Sequence, residues 1–374
     1  MMFARRLSIV ASSFFVAPFS PAQAETAGES AEWTLPEKPA SPPTIDFWYG
    51  DEQIFGNRGD TQPLINLLGS IRPASHVGDT WYQFNNGKWK QLVLGPDLHR
   101  LARPGDFNVE FERTKLKEGE NTFRIRLHDL WGRKTTGEMS FLYQPGKTWP
   151  IPYEVDFSKV KRLQEKVEII DGKWHLTEKG VRTSEPYYDR QLAFGDAKWS
   201  NVELEAEIIF HRHFTGFRNR NWNGPPYLSH AHTSFNLRWG GHPDDGAHPR
   251  RAWQNLGSLV ALRTDLARKK AGSYWWMHYG FGQKGKPAPR SQMLQEQRHQ
   301  IAFEEPYLYR MRAETLNAGT TRYSTKVWKK GETEPADWQM VGTDLSETLA
   351  AGSIVFVVHH SDVTLCRVRV TKLP

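Results

Sequence analysis

The sequence predicts an all-β protein built as two β-sandwiches in tandem. Three observations carry the prediction: short segments alternating apolar and polar residues recur from residue 44 to the end of the chain, turn residues separate them, and no segment sustains helical periodicity. A helix content above about a fifth of the chain is thereby excluded.

Taken in order, the first 24 residues stand apart. Arg5 and Arg6 precede an apolar stretch from Leu7 to Phe19, and Ala22-Gln23-Ala24 has the small-x-small pattern that a signal peptidase accepts. Ser12, Ser13 and Pro18 make this stretch too short and too polar to span a bilayer, so residues 1–24 read as an export signal. The expected location is periplasmic or extracellular, with no integral membrane segment after cleavage. Residues 25–41 are polar and proline-containing and read as a flexible arm.

The first sandwich is expected over residues 42–145, from TIDFWYG, PLINLLGSI, TWYQFNNGKWKQLVL, FNVEFERTKL, NTFRIRLHDLWG and GEMSFLY. In FNVEFE, Phe107, Val109 and Phe111 share one face and Asn108, Glu110 and Glu112 the other, the pattern of a half-buried strand. Asn86-Gly87 signals a hairpin turn. Pro145, Gly146, Pro150 and Pro152 mark a stiff connector at residues 146–155. A larger sandwich follows over residues 156–374, from VEIID, KWHLT, VRTSE, YYDRQLAF, VELEAEIIF, TSFNLRWG, SLVALRTD, YWWMHYGF, HQIAFE, YLYRMRAETL, TRYSTKVWKK, SIVFVVHH and TLCRVRVTKL.

Composition bounds the function. The single cysteine, Cys366, rules out an intramolecular disulfide, so stability rests on packing, with 15 Trp, 20 Phe and 12 Tyr to supply it. The net charge of +7 falls to +5 once Arg5 and Arg6 leave with the signal. No basic run interleaved with aromatics tracks a groove, which argues against nucleic acid. No phosphate-binding loop, dinucleotide fingerprint or G-x-S-x-G motif occurs.

The stretches TIDFWYGDEQIFGNRGDTQPLINLLGSI and NNGKWKQLVLGPDLHRLARPGDFNVEFERTKLKEGENTFRIRLHDLWG resemble an immunoglobulin-like module, with GPDLHRL leading into a strand and HDLWG closing a hairpin. EPYYDRQLAFGDAKWSNVELEAEI, TSFNLRWGG, YLYRMRAE and GSIVFVVHHSDVTLCRVRV resemble the concanavalin A-like, laminin-G-like jelly-roll class, which closes on an apolar strand, here Ile354 to Val358, and an amphipathic one. The resemblance covers nearly all of residues 44–373. That class includes lectins, carbohydrate-binding modules, glycoside hydrolases and polysaccharide lyases, so the fold does not choose among them. Its β-glucan hydrolases carry an E-x-D-x-x-E strand motif; the nearest segment here is VELEAEI, which departs from it.

Three groups of residues are candidates for a site. Glu203, Glu205 and Glu207 share a strand face, roughly 7 Å apart in steps of two, a spacing suited to a glycosidase pair; Arg367 and Arg369 on the last strand offer them ordinary cross-strand partners instead. Six histidines lie between His211 and His248, among them the pairs His211/His213 and His230/His232. No cysteine or H-E-x-x-H accompanies them, so no metal and no other cofactor is expected. The segments GFRNRNWNGPPYLSHAH, RWGGHPDDGAHPRRAWQNLG and YWWMHYGFGQ have the composition of a sugar site, with flat rings to stack on pyranose faces and Arg or Asn to bond hydroxyls or a uronate. They nominate Arg218, Arg220, Trp222, Tyr227, Arg238, His242, Trp253 and Trp276 for carbohydrate binding. Catalysis, if present, would draw on His230 or His232, Asn236, Arg238 and Tyr279 in a lyase, or on Glu205 and Glu207 in a hydrolase. Asn236 and Arg238 are expected on one strand face, opposite Phe235, Leu237 and Trp239.

The expected function is recognition of a polysaccharide or oligosaccharide, acidic glycans included, in a cleft of the second domain. A polysaccharide lyase or glycoside hydrolase using the same cleft is the competing class, and a structural cell-envelope protein the third.

Overall fold

Eight strands lie between Thr44 and Tyr143: β1 (Thr44–Phe47), β2 (Gln53–Phe55), β3 (Leu64–Arg72), β4 (Val77–Phe84), β5 (Lys90–Gln91), β6 (Asp106–Glu112), β7 (Gly119–Asp129) and β8 (Lys134–Tyr143). They form a three-stranded sheet, β1-β3-β6, and a five-stranded sheet, β2-β8-β7-β4-β5. Phe107, Phe111, Phe123, Ile125 and Phe141 fill the space between the two sheets, with Phe111 set edge-on to Phe123 as aromatic quadrupoles favour. The β4–β5 hairpin closes through Gly87 N donating to Phe84 O, so its central pair is Asn85-Asn86, one residue earlier than the sequence signal. Asn85 takes the left-handed conformation that this turn needs.

Among the described residues, fifteen strands make the second sandwich: β9 (Tyr153–Asp156), β10 (Glu168–Asp171), β11 (Trp174–Thr177), β12 (Gly180–Thr183), β13 (Arg190–Phe194), β14 (Val202–His213), β15 (Ala231–Trp239), β16 (Ser258–Asp265), β17 (Gly272–Tyr279), β18 (Gln292–Arg298), β19 (Pro306–Asn317), β20 (Thr320–Lys329), β21 (Met340–Asp344), β22 (Ser353–His359) and β23 (Ser361–Lys372). One sheet runs β10-β13-β22-β15-β16-β17-β18. The other runs β11-β12-β23-β14-β19-β20-β21, with β9 also paired to β23. The consecutive strands β22 and β23 thus occupy the interiors of opposite sheets and switch between them at the single residue His360. Leu204, Phe210, Phe235, Phe356, Leu365 and Val368, all buried, meet between the sheets.

The computed structural model describes residues 37–50, 52–214, 231–250, 258–265, 272–279, 292–298, 301–317, 319–344 and 350–373, with backbone alone for β16, β17 and β18. The protein is all-β, at 54% strand and 5% helix, and the helix among the described residues is short 3-10 turns. No helix among the described residues is long and apolar enough to cross a membrane. The strands depart from the expected set: residues 301–304, the described part of HQIAFE, are not a strand, while β9, which begins inside the expected connector, and β18 and β21 are. Glu304 has positive φ and its N–H bonds Phe210 O, so this segment turns sharply into β19 instead of running as a ladder.

The outer face of β6 is covered rather than solvated. Asn108 is buried, and Glu110 lies with Arg100 in a charged seam against the second sandwich. Arg100 Nε lies 2.6 Å from Asp171 Oδ2 and its Nη1 lies 2.6 Å from Glu110 Oε1. Arg190 Nη1 approaches the other oxygen of Asp171 at 2.8 Å, while its Nη2 donates to Arg100 O. Asn108 Nδ2 adds a bond to Asp171 Oδ2 at 3.0 Å. Burial raises the Asp171 pKa in spite of both guanidinium groups. Alongside, Tyr49 OH donates to Gly172 O at 2.7 Å, and a Cβ at Gly172, which has φ +87°, would lie 2.6 Å from Arg190 Cδ. Only glycine fits there. Because Arg100 neutralises two buried carboxylates, Arg100→Met is expected to cost about 3–5 kcal/mol in urea unfolding. Arg369→Ala, at an exposed position, should stay within about 0.5 kcal/mol of the parent.

Candidate functional site

The two faces of the seven-stranded sheet differ in chemistry. Leu192, Phe194, Phe235, Leu237, Ile354, Phe356 and Val358 point into the sandwich. Alternation sends Gln191, Ser234, Asn236, Val355 and Val357 to the other face, with the backbone partners Ser234↔Val357, Asn236↔Val355 and Gln191↔Val357 placing them side by side. These residues are buried, yet Gln191 Oε1, Ser234 Oγ and Asn236 Oδ1 have no hydrogen-bond partner among the described residues. Each such atom costs about 1–3 kcal/mol. Unpaired polar atoms so grouped need a ligand or ordered water to satisfy them.

At the end of this row the backbone partners His232↔His359 bring two imidazoles together. Their rings stack in parallel at 4.6 Å with an interplanar angle of 8°. His359 Nδ1 donates to Asp189 Oδ1 at 2.7 Å, and the other carboxylate oxygen of this buried aspartate has no hydrogen-bond partner. His360 packs edge-on to His359 at 4.4 Å, Tyr188 does so at 4.9 Å, and His99, from the loop that carries Arg100, packs on Tyr188 at 5.0 Å. Burial lifts the Asp189 pKa to about 6, against the pull of His360, Arg190 and Arg100. Burial, with His359 alongside, drives His360 down to about 2. Asp189 and His360 both have positive φ, a strained backbone concentrated at one spot.

The nominated residues divide. His232 and Asn236 lie on the polar face. His242 is buried with its ring edge-on to Trp239, which shares that face with Val355 and Val357. Arg238 does not share the face of Asn236. A register shift between Leu237 and Trp239, with φ of +58° at Arg238, breaks the alternation there and swings Arg238 inward and Trp239 outward. Its guanidinium crosses the sandwich to Thr315 Oγ1 (2.7 Å), Thr321 Oγ1 (2.5 Å) and Ser200 O (3.0 Å). Glu205 and Glu207 belong to the other sheet, where they form an ion-pair ladder with Arg310 (3.1 Å) and Lys330 (2.7 Å). Of the two partners expected on the last strand, whose backbones pair with Glu207 and Glu205, Arg369 lies 3.9 Å from Glu205 while Arg367 pairs instead with Asp156 at 3.7 Å.

His211 and His213 sit on β14 and His232 on β15, in opposite sheets; His211 instead bonds Glu304 and Thr364. Trp276 joins by backbone register the row Val357–Ser234–Ala261, and Tyr279 pairs with Gln292; the side chains of both lie outside the described residues, as do Arg218, Arg220, Trp222, Tyr227, His230 and Trp253. Sequence reasoning missed Asp189, Gln191, Ser234, His359 and His360. The one available signal was the run HHSD directly after five apolar residues.

No protein-family model matches the chain, and no curated protein does. Among solved structures, the chain is similar to an alginate lyase, Aly36B, at TM-score 0.35 and 10% identity, covering 60% of this chain and 98% of that one. The carbohydrate recognition domain of Emp47p gives TM-score 0.33 and 10% identity, over 60% and 97%. A Bacillus subtilis protein of unknown function with a galectin-like fold gives 0.30 and 8%, over 59% and 94%. Likeness at this level assigns no family and no activity.

Burial, followed by Arg100 and Arg250, holds the His242 pKa well below its usual value. Below about pH 6.5 the unfolded chain therefore binds a proton that the folded chain refuses, and stability falls as pH falls. His242→Asn should remove up to about 1.4 kcal/mol per pH unit from the loss measured by urea unfolding between about pH 6.5 and 5. Arg238→Ala, which strips the tie between the sheets, is expected to lower stability by about 3 kcal/mol in the same assay.

Proposed function

We propose that this is an exported glycan-recognition protein that seats a saccharide on the polar face of the seven-stranded sheet. The observation that carries the reading is the buried row Gln191 Oε1, Ser234 Oγ and Asn236 Oδ1, three polar atoms without partners beside Val355 and Val357. Saccharide hydroxyls donate to such acceptors, and the apolar face of a pyranose ring suits the valines. The Trp239 indole, buried on the same face, has an Nε1 that is likewise without an acceptor.

A second reading is turnover at the same face, as a lyase. It is favoured by the cluster Asp189–His359–His232 at the end of the row, since a carboxylate-held imidazole is a proton-transfer group. The hydrolase reading through Glu205 and Glu207 loses support, because both carboxylates are engaged by cations on the far sheet.

Incubation with neutral and acidic polysaccharides, scored for retention, new reducing ends and unsaturated-uronate absorbance, separates these readings. Retention without products is the expected result, and Asn236→Ala should weaken it about tenfold with little change in melting temperature, since Asn236 Oδ1 has no bond to lose in the free protein. Absence of both retention and products across the panel would leave the structural-envelope reading standing.

A further inference from the structure

We propose that Asp189, His232 and His359 hold a divalent first-row transition-metal ion, with zinc as the simplest occupant. One donor atom from each residue lies within 4.8 Å of the other two, and all three residues are buried. Bonds of about 2.0–2.1 Å in a tetrahedral site place donors roughly 3.3 Å apart.

The frame is rigid for a structural reason. β13, β22 and β15 are neighbours in the sheet, His232 and His359 are direct backbone partners, and Asp189 immediately precedes the Arg190↔Val358 pair. Ser361 Oγ donates to the carbonyls of both His232 and His359, which ties the two histidine backbones together. The three ligands therefore sit in one cross-strand row and not on independent loops, which is the preorganisation a metal site needs.

Donor chemistry narrows the ion. Two imidazoles and one carboxylate suit zinc, iron or nickel, whereas calcium and magnesium take oxygen shells. The bond from His359 Nδ1 to Asp189 Oδ1 leaves Oδ2 buried without a hydrogen-bond partner, and a cation would satisfy it. Nearby guanidinium groups do not compete for the position: Arg190 and Arg100 are committed to Asp171 and Glu110.

This inference is independent of the glycan reading, because the test reads the metal alone. The untagged full-length mature protein is stripped with a chelator and titrated with Zn2+ by calorimetry and against a chromophoric chelator. One ion per chain is expected, with a rise in melting temperature and, on Co2+ substitution, the visible ligand-field bands of a low-coordinate histidine site. Asp189→Asn and His232→Gln should each weaken Zn2+ by more than about tenfold, while His211→Gln leaves it unchanged. Sub-stoichiometric Zn2+, or affinity unaltered in both variants, overturns the proposal. Should either variant fail to fold, the Co2+ spectrum of the parent decides: octahedral, aquo-like bands also overturn it.

Discussion

The structure depends on a buried ionic knot in which Arg100 from the first sandwich lies between Glu110 and Asp171, and Arg190 from the second closes on Asp171. Burying four charges gains little net energy over well-packed hydrocarbon, because desolvation consumes most of the Coulomb attraction. What the knot adds is direction. A guanidinium satisfied by two carboxylates and two carbonyls accepts few orientations, so the 97–101 loop, β6, β10 and β13 are locked in one arrangement. Asp189 is the residue next to Arg190, and His99 the residue next to Arg100. The seam that orients the two sandwiches is therefore one peptide bond away from the cluster on the polar sheet face.

The division of labour among the sheet faces follows from the same arrangement. The outer face of the eight-stranded sheet is a ladder of alternating charges that satisfy one another, such as Glu203 with Arg312 and Glu205 with Arg310. Such a face is complete in itself. The outer face of the seven-stranded sheet has Ser234, Asn236 and Gln191 among valines, and their side-chain oxygens do not complete one another among the described residues. Incomplete hydrogen bonding, not charge density or pocket size, is what singles this face out.

Much of the strand pattern was legible in the sequence because most strands bury one side, and the period-two alternation of NTFRIRLHD or VELEAEI is a direct imprint of that burial. The strands β18 and β21 were not legible, since both end their sheets with one neighbour, β18 (QMLQEQR) is mostly polar and β21 (MVGTD) is short and interrupted by a glycine. The face of Arg238 was misread because a bulge inserts one residue, and a single residue inverts every later side chain. A Cβ at Gly352 would meet the Arg238 carbonyl carbon at 2.3 Å, so the bulged backbone needs a glycine more than a hundred residues away. The Asp189–His232–His359 cluster was hidden for the same reason: its members are separated in sequence and adjoin only through strand order. By contrast, the His211/His213 pair was conspicuous in sequence and has separate local partners.

The placement of β22 and β23 has a consequence in time. β22 lies between β13 and β15, and β23 between β12 and β14, so residues 353–372 supply an interior strand to each sheet. Until they arrive, β13 and β15 have no common neighbour and β14 lacks one of its two, which leaves each of the three with one unpaired edge. Contacts spanning more than 150 residues, such as Arg190↔Val358 and Glu205↔Arg369, must then form late and together. Such a chain folds slowly, as a unit, with its edges exposed while it waits. The seven- and eight-stranded sheets each close only when residues 353–372 have docked between strands that precede them in the chain.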